Sequence, residues 1–379
     1  MANLKTLPEE LIHHIVSFLS SASSSRPKHL SFHAWADDYS ADPATPDEGT
    51  SSLLALTYTS RRLNELISPH LYHTIRIPKS RDIPRLELLA ATLAADTGLA
   101  FSVQDVSITG ENSDSPWRLL PFFFLENINT LTVYNFRGWN RLEWEDDEDE
   151  VDENTRISAT SSVRVLRLLN CGAHEPPLAQ LLAWPKALEE LHYDVDQLEW
   201  EGTYEGRAPI SWTCDAFVRA LQPQKLNLKT LTLTRPPLIH EGIFNGVRIS
   251  LVDFTALTTL RIFHVFFCGW DAGRDAWMGL PPNIEVLEVF YDDTELSTFV
   301  ANNDDGEWLD ELAVKKRGGF YPQLRSVCVR TMEEIYGGDD NEVVTDSWSI
   351  PTSLAHTFEE LGIELRVILG VKANQKTMG

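Results

Sequence analysis

The feature that most restricts this chain is a short apolar pattern that recurs nine times. Its form is apolar, two residues, apolar, one residue, apolar. The copies are Val103, Val106, Ile108; Ile128, Leu131, Val133; Val163, Leu166, Leu168; Leu188, Leu191, Tyr193; Leu228, Leu231, Leu233; Leu257, Leu260, Ile262; Ile284, Leu287, Val289; Leu324, Val327, Val329; and, more weakly, Phe358, Leu361, Ile363. The last two members of each copy are two residues apart, which is the spacing of side chains on one face of a β-strand. Successive central members lie 25 to 40 residues apart. Each copy therefore belongs to a unit made of one strand and a return segment, and the longer units carry loop insertions. Helical patterns occupy several returns, at 84–95, 177–184, 214–222, 294–301 and 308–316. Strand, helix, strand implies parallel pairing through crossovers.

The copies resemble irregular leucine-rich repeats. The asparagine that family places after its strand is mostly missing, with Asn170 the exception. The expected class is therefore α/β, a leucine-rich-repeat-like solenoid over residues 76–379 with a parallel sheet on its concave face. Side chains alternate along a strand. The residue between the last two apolar positions then faces the concave side: Ser107, Thr132, Arg167, His192, Thr232, Arg261, Glu288 and Cys328. One position past each copy adds Tyr134, Asp194, Thr234, Phe263, Phe290 and Arg330. Candidate target-binding residues are Arg167, His192, Arg261, Phe263, Phe290 and Arg330. Guanidinium groups suit a carboxylate or phosphate, and aromatic rings suit anchoring.

Residues 4–19 read LKTLPEELIHHIVSFL. Thr6 is placed to cap a helix with Glu9 three residues on, and Pro8 suits its first turn. Leu11, Ile12, Ile15, Val16 and Leu19 form its apolar stripe. A Ser/Pro-rich segment at about 20–51 reads as a flexible insertion. A second helical pattern begins near Ser52 and stops at Pro69. Together these residues resemble the F-box of fungal proteins. Leu7, Pro8, Glu9, Leu11, Ile12, Ile15, Leu19, Leu54, Leu56, Ser60, Arg61, Leu63, Pro69, Leu71 and Tyr72 match its pattern, within residues 1–75. The long 20–51 segment replaces the family's usual short connection. The resemblance implies that Leu7, Pro8, Leu11, Ile12, Ile15, Leu19, Leu54, Leu56 and Leu63 dock on the adaptor subunit of a cullin-RING (SCF-type) ubiquitin ligase. It also implies that the C-terminal domain binds a protein substrate.

Charge narrows the alternatives. Lys plus Arg is 32 against 56 for Asp plus Glu, a net charge of −24. Residues 143–153, 292–311 and 333–346 hold nine, eight and six carboxylates and no basic residue, so the rest of the chain stands at −1. Such blocks favour solvated loops. The balance speaks against nucleic acid as a partner, which needs a basic footprint, and against an anionic membrane surface. No apolar run is long enough to span a membrane, and the N-terminus carries no secretion signal. Cys171, Cys214, Cys268 and Cys328 form no CxxC, which excludes zinc-ribbon and thioredoxin motifs. A reducing compartment, cytoplasmic and/or nuclear, is expected. GxSxG, Walker A, GxGxxG and HExxH are all absent from the sequence. The expectation is a non-catalytic receptor that uses no cofactor and no metal. The alternatives are a scaffold unconnected to ubiquitylation and an enzyme whose site is assembled from scattered residues.

Overall fold

A computed structural model describes residues 8, 11–12, 14–16, 48–77, 83–109, 119–134, 159–172, 175–195, 213–234, 248–269, 275–291, 307–331 and 350–368. Its centre is a ten-stranded, wholly parallel sheet in which each strand lies beside the next one in sequence. The strands are β1 (Thr74–Ile77), β2 (Asp105–Thr109), β3 (Thr130–Tyr134), β4 (Val165–Cys171), β5 (Glu190–Val195), β6 (Thr230–Thr234), β7 (Thr259–Phe263), β8 (Val286–Tyr291), β9 (Ser326–Thr331) and β10 (Glu364–Ile368). The connections carry α3 (Ile83–Ala95), α4 (Thr97–Ser102), α5 (Leu120–Phe123), α6 (Glu175–Ala183), α7 (Cys214–Leu221), α8 (His264–Cys268), α9 (Glu307–Arg317) and α10 (Thr352–Glu360). Ahead of the sheet stand α1 (Glu48–Thr57) and α2 (Arg61–Leu71).

All three apolar members of the first eight copies are buried. The first member precedes the strand. In five copies it closes a tight turn: Val103, Ile128, Leu257, Ile284 and Leu324 donate to the carbonyls of Ala100, Leu125, Phe254, Pro281 and Tyr321. The second and third members lie within the strand and form two continuous apolar rows, one through Leu131, Leu166 and Leu191, the other through Val133, Leu168 and Tyr193. A backbone spine runs along the N-terminal ends of the strands. The carbonyls of Gln104, Asn129, Arg164, Glu189, Lys229, Thr258 and Glu285 each accept two N–H groups from the next unit, at 2.8–3.1 Å. These bonds pair backbone groups where the chain turns inward, as burial demands.

The core lies between the apolar rows and the helices. Leu178 and Leu181 of α6, Phe217 and Leu221 of α7, Trp308 and Leu312 of α9, and Phe358 of α10 all belong to it. Tyr193 packs on Phe217 with ring centres 5.1 Å apart. Gln224 fastens adjacent units: its Oε1 accepts from Leu188 N at 3.0 Å, and its Nε2 donates to Leu182 O and Pro185 O at 2.8 Å. Parallel sheets covered on both faces read as continuous apolar runs, whereas these strands alternate. The alternation leaves a second face lined by polar and charged side chains.

Several expectations change. The ninth copy is misplaced. Phe358 lies in the last turn of a helix, and the residues that continue the apolar rows are Leu365 and Val367, paired with Val327 and Val329. The sheet gains a tenth strand, β1, and a division at 75/76 falls inside it. Pro69 lies within α2 rather than ending it. Tyr72 N still reaches Ser68 O at 3.0 Å, so the last turn closes around the proline. The last residues of the 20–51 segment are helical, because α1 begins at Glu48. Glu307, Asp310 and Glu311 of the second acidic block lie at the start of α9, where the helix dipole favours them, with Lys315, Lys316 and Arg317 in its last turn. The other two blocks, the 294–301 helix, Thr6 and most of the 20–51 segment lie outside the described residues.

Candidate functional site

Two surfaces carry the residues singled out by sequence. The first belongs to the helical module. Residues 11, 12 and 14–16 are helical, and α2 is capped by Ser60, whose Oγ accepts from Leu63 N at 3.1 Å. Ile12, Val16, Leu53, Leu63 and Ile67 form a core separate from that of the sheet, with Leu56 partly buried against it. Ile12 and Leu63 are thus corrected. They pack inside the module and are unavailable to a partner in this arrangement. A stripe one turn wide cannot tell by spacing which flank faces inward: Ile12 and Val16 do, while Leu11 and Ile15, also four apart, do not. Leu11, Ile15 and Leu54 are 40–50% exposed, and Pro8 is exposed too. Tyr58, which follows α1, is 82% exposed and had no sequence signal beyond its place in a turn. Leu7 and Leu19 lie outside the described residues.

The second surface is the polar face of the sheet. The expected row exists as a register. Ser107, Thr132, Arg167, His192, Thr232, Arg261, Glu288 and Cys328 pair strand to strand, and Arg76 and Arg366 extend the row at its ends. The arginines do not stand alone. Glu288 lies between two of them, accepting from Arg261 Nε at 3.1 Å and from Arg330 at 2.6 Å. The carboxylate is sheltered, with a 13% exposed side chain against 40% for Arg261. Arg167 faces Glu190 of β5 at 3.5 Å.

Phe263 and Phe290 are corrected. Alternation puts them on the polar side, but both are buried in the main core. The chain enters α8 directly after Phe263, all five α8 residues are buried, and Phe263 meets Phe266 edge to face at 6.2 Å. They act as filling rather than anchors.

Between the charged groups lies a buried polar chain. Thr234 Oγ1 donates to Asp194 Oδ1 at 3.0 Å and stands 3.2 Å from His192 Nε2. An ionised carboxylate only accepts, so the single hydroxyl proton of Thr234 points to Asp194, and His192 donates through Nε2. Asp194 Oδ2 accepts from Asn170 N at 3.3 Å. Asn170 supplies that N–H from a left-handed conformation, φ 52°, where β4 slips by one residue against β5. Burial pulls His192 down to about 3, helped by the nearby charges of Arg167 and Arg261. The ring is therefore neutral at physiological pH. Because His192 donates to the hydroxyl, it does not activate Thr234 as a nucleophile. The chain fixes strand ends.

Among the described residues the four cysteines are buried and form no disulfide, and no helix is long and apolar enough to cross a membrane. No family model matches the chain, and no curated protein matches it.

Proposed function

We propose that this chain is the substrate-recognition subunit of a cullin-RING ubiquitin ligase. In this reading the F-box-like N-terminal module docks on the adaptor and, through it, the cullin. The sheet domain is an irregular leucine-rich-repeat-like solenoid that holds a protein target on its concave polar face. One observation carries the reading: among the described residues the module's own core has five buried side chains with Leu56, Leu66 and Leu71 packed against them, while Leu11, Ile15, Leu54 and Tyr58 stay outside it. A small helical unit buries a low fraction of its apolar surface, and an exposed apolar set of this kind marks an interaction site.

The sequential strand order and the repeated carbonyl spine support a repeat scaffold, in which each unit packs mainly on its neighbours. A receptor of this type contributes proximity. It raises the effective concentration of target near the charged conjugating enzyme and supplies no reacting group. Four buried cysteines outside any disulfide support a reducing compartment, cytoplasm or nucleus. The test is co-purification of the full chain with the adaptor. The expected result is a complex that Leu11→Asp with Ile15→Asp removes. A complex indifferent to both changes would sink the docking assignment.

A further inference from the structure

We draw no further inference here: the strongest candidate, the apolar outer face of α3 with Leu88, Ala91 and Ala95 exposed along one side, is a surface patch without a partner, and nothing in the structure shows what covers it.

Discussion

Replacing His192 by glutamine removes one titrating group from the interior while keeping an N–H that can donate to Thr234. The folded-state pKa of His192 is about 3 against an ordinary 6.5, because the ring is buried beside two guanidiniums. The depressed value sets the sign. As pH falls below about 6.5 the unfolded chain takes up a proton and the folded chain does not, until about pH 3. Stability is therefore lost across that window, at most about 1.4 kcal/mol per pH unit. Between about pH 6.5 and 4.5 the wild type should lose roughly 2 kcal/mol through this group alone. The His192→Gln variant lacks that loss. At neutral pH it should be less stable by roughly 1–2 kcal/mol, having given up a well-fitted ring and altered one buried hydrogen bond. Urea unfolding at a series of pH values measures both. Carboxylates titrate in both proteins and largely cancel in the difference. The gap should close or invert as pH falls to about 4.5. Two stability curves that stay parallel over that range would refute a buried, neutral His192.

Two further predictions probe the scaffold. Gln224→Ala leaves Leu188 N and the carbonyls of Leu182 and Pro185 without their buried partner, so chemical unfolding should show a loss of about 3 kcal/mol; a loss under about 0.5 kcal/mol would mean that the units do not depend on this link. At Gly279 a Cβ would collide with the Ile249 carbonyl oxygen, next to the 2.7 Å bond from Leu251 N to Gly279 O. Gly279→Ala should therefore cost more than about 2 kcal/mol, read as a lower thermal midpoint, while Gly98→Ala, which meets only the Asp96 side chain, should cost less.

Most of the sheet could be read from spacing, because each copy combines two period-two positions with one turn position, and all three are buried in eight copies. The same rule misled at the C-terminus. Phe358 and Leu361 reproduce the spacing from the end of a helix, since three-residue steps occur in helices and turns alike. HLYHTIRI reads as a turn leading into an extended segment, which is where β1 lies, but TIRI offers only Ile75 and Ile77 and so falls outside the three-member pattern. Helices α3, α6, α7 and α9 were legible as helical stretches between the strand copies.

The site was legible by side but not by cover. Alternation placed Phe263 and Phe290 on the polar face and could not show that both join the core. It placed Arg261, Glu288 and Arg330 on three neighbouring strands, yet gave no hint that one carboxylate serves both guanidiniums, which depends on side-chain reach. In the helical module, Leu11 and Ile12 are equivalent in a hydropathy pattern. Only the packing of Leu53, Leu63 and Ile67 decides which one faces inward.

The central claim is that the exposed apolar side chains of the N-terminal helices dock on a ubiquitin-ligase adaptor. Its most direct measurement is calorimetric titration of the purified full-length chain with the adaptor subunit. Wild type should give saturable one-to-one binding. Leu11→Asp with Ile15→Asp should weaken it at least a hundredfold, because two carboxylates would then be buried without partners, while Arg261→Gln on the sheet should leave it unchanged. Absence of binding by the wild type, or binding unaffected by the two aspartates, would contradict the account.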